Sequence, residues 1–516
     1  MPEPDPLRVH AERHGDRPAV IVDGPAGGSP SVTTFAELDR AVNRLAHAFR
    51  ALGLAPGERL VWCGPNSPEV VQTVHAARKA RQVAVPLSYR FTADEMRFVI
   101  DDSEAALVVV DAEQASLVAG VRDRLPRLRH VLVFGGEVPE GCEAWEDVVD
   151  GQPFHEPGAP SAVGAQMIYT SGTTGRPKGA VRTRSDAGIV AALLAELGLR
   201  PAEEVHLTTG PLYHSGPLAF LSLNHTLGCP VVLLRRFDAR TWLRLVGEHR
   251  VTNTFTAPTQ LKRIVALPPE ELAAADLSSM RCLVANAAPV PYALKREVIA
   301  RLGDGFLYEI YGSTELGVAT VLTPADQLRK PGSCGRPYGG IGVRIVADDG
   351  TEAPVGTPGE LFLRTGLAMD GYHGAVDGLP EHDDGTWRSV GDVAYVDDEG
   401  YVYICDRKKD MIITGGMNVY PAEVEAVLHE HPGVLDVAVI GVPDDEWGER
   451  VHAVVQARPG AELDLGELRA FVDGRMAGYK RPRSYEQRDT LPRTDAGKLL
   501  KRVLREEHWR DRDVRV

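Results

Sequence analysis

Between Tyr169 and Gly179 the chain reads Tyr-Thr-Ser-Gly-Thr-Thr-Gly-Arg-Pro-Lys-Gly, directly after the apolar pair Met167-Ile168. Glycines at 172, 175 and 179 let backbone N–H groups approach phosphate oxygens closely. Thr170, Ser171, Thr173 and Thr174 add hydroxyl donors, and Arg176 and Lys178 bring positive charge. Such a composition suits a loop that wraps a polyphosphate. It departs from the P-loop pattern, in which Gly-Lys is followed by Ser or Thr opening a helix, because Lys178 is followed by Gly179. Clusters of Ser, Thr and Gly are also ordinary solvated turns, so partners elsewhere in the chain must decide the matter.

Those partners are Tyr311-Gly-Ser-Thr-Glu315, Gly391-Asp392, Asp406-Arg-Lys-Lys-Asp-Met-Ile-Ile-Thr-Gly-Gly-Met-Asn-Val-Tyr-Pro-Ala-Glu423 and Pro492-Arg-Thr-Asp-Ala-Gly-Lys498. Together with the glycine-rich loop, and in this order, they resemble the motifs of the adenylate-forming superfamily: acyl-CoA synthetases, adenylation domains of peptide synthetases and firefly-type luciferases. The resemblance runs over essentially the whole chain. It implies an ATP-dependent acid:CoA ligase that makes an acyl-adenylate and pyrophosphate, then an acyl-CoA thioester and AMP.

The resemblance also implies roles for individual residues. The run Thr170, Ser171, Gly172, Thr173, Thr174, Gly175 and Lys178 would hold the triphosphate of ATP, with Thr314 near the α-phosphate. Glu315 and Thr170 would hold Mg2+, a hard cation that takes oxygen ligands. Tyr311 and Gly312 would lie along adenine, Asp392 would accept the ribose hydroxyls, and Arg407 would hold ribose or phosphate. Lys498 would be the catalytic lysine: a carboxylate attacking a phosphate brings two anions together, and a point charge with three donors stabilises that crowded transition state. For coenzyme A, Gly415 and Gly416 would line the pantetheine path, and Arg90, Trp447 and Lys480 would contact its nucleotide part. His214, in Pro211-Leu-Tyr-His-Ser-Gly216, resembles the gate beside the acyl pocket.

By family position the acyl pocket draws on Phe255-Thr-Ala257, Asn286, Ala287, Ala288, Ile310, Gly312 and Gly317-Val318, none of them charged. A neutral aliphatic or aromatic acid is therefore expected rather than a dicarboxylate or an amino acid. Asn286 stands where many relatives have glycine, and offers the pocket a specific hydrogen bond. A carrier protein or an amine as acceptor, an oxyanion such as nitrite as substrate, a luciferase-like oxygenase and a second copy of the chain as partner all stay open at this point.

Bulk properties bound the reading. A chain of 516 residues, 43% hydrophobic and 25% charged, is long enough for several core-bearing units. Its net charge of −15 argues against nonspecific binding to nucleic acid or an anionic membrane. The 6 cysteines show neither CxxC spacing nor a dense framework, so buried thiols in a reducing cytoplasm are expected, without disulfides or zinc. The amino terminus, Met-Pro-Glu-Pro-Asp-Pro, lacks a signal-peptide pattern, and no stretch approaches the roughly 18 apolar residues of a membrane span.

The elements that must position these groups read as alternating α and β. Thr34-Phe-Ala-Glu37 has capping-box spacing, and Leu38, Val42, Leu45, Phe49 and Leu52 then recur at helical intervals. Strand runs Leu60–Cys63, Ala84–Leu87 and Ala106–Val110 alternate with helical patterns such as Ala93 to Asp101, which implies α/β layers. Residues 151–164, rich in Pro, Gly and Ala, read as a surface connector leading into the strand before the phosphate loop. Gly and Pro from 331 to 359, around Val343–Val346 and Glu360–Leu363, suggest a β-rich unit. The charge run at Asp406 marks a domain boundary. The expected fold class is α/β: a large N-terminal domain, residues 1–405, of layered α/β subdomains with a β-rich subdomain, and a small mobile α+β C-terminal domain, residues 406–516, hinged near Lys408 and Lys409.

Overall fold

The computed structural model describes residues 5–24, 29–158, 165–170, 177–375, 378–494 and 498–510. Among the described residues the strands form four sheets. The first is built on Arg59–Cys63, flanked in parallel by Val83–Leu87 and Leu107–Asp111, with His130–Phe134 outside the latter. Helices Phe35–Ala51, Pro68–Ala80 and Ala93–Asp102 fall between or before these strands. They cover the sheet, which is why Leu107–Val110 is apolar at successive positions and the strand Leu107–Asp111 is buried throughout. The Thr34 capping box forms as expected: Glu37 N–H donates to Thr34 Oγ1 and Thr34 N–H donates to Glu37 Oε2.

One edge of this sheet carries Gln166–Thr170, which pairs antiparallel with Lys178–Arg182 so that Thr170 and Lys178 are register partners. The chain thus leaves the glycine-rich loop into a strand, where a P-loop would open a helix.

The second sheet runs in parallel through Pro18–Val22, Val231–Leu233, His206–Thr208, Asn253–Thr256, Cys282–Ala285 and Leu307–Ser313, then turns antiparallel through Gly317–Leu322. The first two sheets share a core, in which Leu212, Leu218, Leu221 and Val231 pack with Phe35, Phe49, Trp62 and Val70. Tyr311, Asn286 and Ala257 stand at or just past the carboxyl ends of parallel strands, where open α/β sheets place their ligands.

The third sheet is antiparallel and includes Gly342–Val346, Gly359–Arg364, Asp392–Val396 and Val402–Arg407. It contains both strands expected around the Gly- and Pro-rich stretch 331–359. Its last strand runs on to Arg407, whose register partner is Asp392. The fourth sheet holds Ile412–Thr414, Met417–Val419, Val434–Asp444, Gly448–Ala457 and Ser484–Gln487. Helices Pro421–His429 and Leu465–Asp473 share one core with this sheet, and helix Lys501–Trp509 meets its other face through Leu504. Both cores draw only on residues after 411. All 6 cysteines are free thiols, and no helix of the described residues is long and apolar enough to cross a membrane.

Candidate active site

The hairpin edge of the first sheet and the turn after Leu307–Ser313 meet at Glu315. Thr170 Oγ1 donates to Glu315 Oε1 at 3.0 Å, and Tyr372 OH donates to the same oxygen at 3.1 Å. Tyr372 arrives on a short strand, Gly371–Tyr372, that pairs antiparallel with Lys178–Arg182. Burial, and then the Glu315 charge, push its phenol well above the usual range. Lys178 Nζ lies 5.3 Å from the centre of the Tyr372 ring. Ser171, Gly172, Thr173, Thr174 and Gly175, expected on the triphosphate, lie outside the described residues.

Thr314 is held from two sides: its carbonyl accepts from Arg182 Nη2 at 2.8 Å, and its hydroxyl lies 3.2 Å from Ser215 Oγ. Ser215 opens the helix Ser215–Thr226, for which His214 is the N-cap residue. The His214 ring stands 4.4 Å from Tyr213, which meets Tyr89 edge-on at 5.5 Å. The Arg90 guanidinium lies 5.7 Å from the Tyr89 ring. Arg90 therefore joins, through two tyrosines, the histidine expected to gate the acyl pocket.

Close packing explains the small residues in this region. A Cβ on Gly312 would come within 2.3 Å of Gly317 O, so the irregular pairing of Leu307–Ser313 with Gly317–Leu322 admits only glycine there. A Cβ on Gly216 would strike the Phe255 ring at 2.4 Å. Asn286 Nδ2 donates to Ile310 O at 2.6 Å, which commits one of its two amide N–H donors and fixes the side chain, with its carbonyl oxygen as an acceptor. Ala287 follows with φ +76, a left-handed backbone that costs a residue with a side chain roughly 1–2 kcal/mol. Ala288 lies beyond it, part-exposed. Phe255 and Ile310 are buried beside these residues in one apolar cluster.

Asp392 joins the groups expected on the nucleotide. It is 5% exposed; Oδ2 accepts from Tyr311 OH at 2.5 Å and Oδ1 pairs with Arg407 Nε at 3.2 Å. Burial, then the neighbouring Asp392 charge, push the Tyr311 phenol far up, so it stays a donor. Each carboxylate oxygen keeps a second lone pair.

Lys498 belongs to a tight loop in which Thr494 N–H donates to Lys498 O at 2.7 Å and Lys498 N–H donates to Thr494 Oγ1 at 3.1 Å. Its ammonium sits among Arg407, Asp392, Lys409 and Asp410. Burial is the largest effect and Arg407 the next, and together they bring it down to about 8 despite the two carboxylates. The helix that follows clasps the expected hinge, since Lys501 Nζ lies 3.3 Å from Asp406 Oδ2 and Arg505 Nη2 donates to Asp410 Oδ1 at 2.6 Å.

Of the groups expected on coenzyme A, Gly415, Gly416, Trp447 and Lys480 lie on the fourth sheet and its loops, whereas Arg90 follows the strand Val83–Leu87 of the first sheet. Gly415 N–H donates to Trp447 O at 2.9 Å, and a Cβ on Gly415 would strike the indole at 2.4 Å. A Cβ on Gly416 would meet nothing within 4 Å. Arg483 stacks 4.5 Å over Trp447, and both oxygens of Glu423 accept from Lys480 Nζ, at 2.7 and 2.8 Å.

Against known proteins, residues 7–373 match the model of the AMP-binding enzyme family and residues 423–498 match that of its C-terminal domain. The chain belongs to the AMP-binding enzyme family. Among relatives of this AMP-binding enzyme, a feruloyl-CoA synthase of an Amycolatopsis species is 39% identical over 475 residues, 92% of this chain and 93% of the relative. A fatty acid–[acyl-carrier-protein] ligase, ScoC of Streptomyces coeruleorubidus, is 35% identical over 513 residues, 97% of this chain and 95% of the relative. The crystal structure of the anthranilate CoA ligase AuaEII with anthranoyl-AMP superposes with a TM-score of 0.86 at 26% identity, covering 98% of this chain and 96% of that one.

Several contacts of this AMP-binding enzyme carry no local sequence signal. Tyr372, Arg182 and Ser215 reach Glu315 or Thr314 from 57 to 132 residues away. Lys501 and Arg505 grip the hinge from 95 residues away.

Proposed function

We propose that this chain is an AMP-forming acid:CoA ligase acting on a neutral aromatic acid. The observation that carries the reading is a largely buried Lys498 ammonium that feels the charges of Arg407 and Asp392, a pair joined at 3.2 Å whose carboxylate also accepts from Tyr311. In the first half-reaction an oxygen of the substrate carboxylate attacks the α-phosphorus of ATP. The new O–P bond forms as the bond to the pyrophosphate oxygen breaks. Lys498 stabilises the charge shared between carboxylate and phosphate, Asp392 accepts from the ribose hydroxyls, and Arg407 holds Asp392 in place.

The convergence of Thr170 Oγ1, Glu315 Oε1 and Tyr372 OH is an all-oxygen donor set that fits Mg2+. Thr170 and Glu315 would hold the ion, which, when bound, supplies positive charge to the triphosphate. In the second half-reaction the thiolate sulfur of coenzyme A attacks the acyl carbon, the C–S bond forms and AMP leaves. Residues 406–516 act as a mobile domain on residues 1–405, turning about Lys408 and Lys409 so that Gly416 replaces Lys498 at the acyl carbon. Self-contained cores after residue 411 support that division. Reduced thiols support a cytoplasmic location.

An aromatic acid is favoured by the uncharged residues expected to line the acyl pocket, Phe255 and Ile310 among them, by similarity to feruloyl-CoA synthase and by the anthranoyl-AMP complex of the structural relative. Asn286, fixed by one N–H donated to Ile310 O, presents polar groups, its carbonyl oxygen among them, suited to a ring hydroxyl. A carrier-protein thiol as acceptor is the second reading, favoured by similarity to ScoC over 97% of this chain. The test is ATP-dependent pyrophosphate release over hydroxycinnamic, benzoic, medium-chain and short acids plus nitrite, with and without CoA. Release with a hydroxylated aromatic acid, accelerated by CoA and yielding a thioester, is expected. Release indifferent to CoA sinks the CoA assignment, and preference for an aliphatic acid sinks the aromatic one.

A further inference from the structure

Far from the nucleotide groups, three side chains of the small C-terminal unit converge. His452 lies on strand Gly448–Ala457 and is the register partner of Ser484 on the parallel strand Ser484–Gln487. Glu486, two residues beyond Ser484, faces the same side of the sheet. His508 comes from the last helix, Lys501–Trp509, which packs on this side.

His452 is 5% exposed, yet its Nε2 finds no hydrogen-bond partner, and neither does the buried Nε2 of His508. Both nitrogens point at one oxygen: Glu486 Oε2 is 3.6 Å from His452 Nε2 and 3.7 Å from His508 Nε2. These separations are too long for hydrogen bonds. They are close to the roughly 3.3–3.4 Å between ligand atoms on a tetrahedral ion with bonds of about 2.0–2.1 Å to imidazole nitrogen and carboxylate oxygen. All three ligand atoms lie within 4.8 Å of one another. We infer that His452, Glu486 and His508 form a binding site for a divalent transition metal, zinc foremost, with water completing the coordination.

The surroundings agree. His452 Nδ1 lies 2.8 Å from Ser484 Oγ, which leaves Nε2 to the metal once Nδ1 carries the proton. The second oxygen of Glu486 accepts from Arg488 Nε at 2.5 Å, and Arg488 is itself held by both oxygens of Glu507, so the arginine orients the carboxylate with its charge already matched. Arg450 reaches Ser484 Oγ at 3.4 Å and pairs with Asp444. The ion would join the last helix to the sheet, and that helix begins just after Lys498 and grips Asp406 and Asp410. The site is therefore structural in kind, tying down the segment that presents the lysine.

The test uses the full-length, tag-free chain stripped with EDTA. Zn2+ is titrated against a chromogenic chelator, Co2+ serves as a spectroscopic probe, and thermal unfolding is followed with and without metal. One equivalent of Zn2+, a Co2+ visible band of four- or five-coordinate type and a rise in Tm are expected. His508→Ala and Glu486→Gln should each lose the band and the Tm rise while unfolding, without metal, near the parent temperature. Failure of the parent to take up Zn2+ overturns the site, as does equal uptake by both variants; two variants guard against one that does not fold.

Discussion

Thr170 and Glu315, 145 residues apart, place Oγ1 and Oε1 3.0 Å from each other. The strand that enters the glycine-rich loop and the Tyr311–Glu315 motif therefore meet at one place, as the proposed shared ATP and Mg2+ site requires. Glu315→Gln keeps the shape and removes the charge. We expect kcat/KM for ATP to fall by about 10²–10³ and the Mg2+ requirement to rise, as for other preorganised electrostatic groups. Unchanged Mg2+ dependence would remove Glu315 from the cation site.

Lys498→Ala should abolish adenylate formation, at a cost of roughly 3–4 kcal/mol in the barrier, while leaving thioester formation from a supplied acyl-adenylate largely intact. Equal loss in both assays would sink the two-state scheme. Because burial lowers this lysine to about 8, its charged form is lost as pH rises through that value. The kcat/KM of adenylation should decline above about pH 8, the limb reporting the free enzyme's ionisation.

Gly416 has φ +77 and open space around it, whereas Gly415 is covered by Trp447. Gly416→Leu should accordingly spare adenylation and block the thiol, read as pyrophosphate release that CoA no longer accelerates. Strain from the left-handed backbone adds a modest loss of Tm, on the order of 1–2 kcal/mol in stability. Surviving CoA turnover would place the tunnel elsewhere.

His206 and His225 are buried and held neutral down to about 4, mainly by burial. Histidines of the unfolded chain take up protons near 6.5, so the unfolded state binds more protons between these values. Stability is complete above about pH 6.5 and is lost as pH falls toward 4. Thermal unfolding across that interval should show a falling Tm, and His206→Asn should flatten part of the slope. A Tm independent of pH there would contradict the buried neutral pair.

The sequence by itself determined the family and the α/β class, and it supplied the proposed catalytic positions, because those readings depend on local order. A glycine-rich loop, a capping box at Thr34 and a lysine framed by Pro492 and Gly497 are readable wherever the chain goes. It also marked a β-rich unit through the Gly and Pro punctuation from 331 to 359 around Val343–Val346 and Glu360–Leu363, and the structure carries that sheet on to Arg407. Tertiary structure alone decided which of these groups share an environment. Tyr372 joins Glu315 only because a two-residue strand pairs with Lys178–Arg182, and no propensity foretells so short a pairing. Asn286 spends its donor on Ile310 O because two parallel strands end side by side. The lowered Lys498 and the His452–Glu486–His508 cluster follow from burial and from charges brought together by distant segments, and desolvation is a property of the packed state.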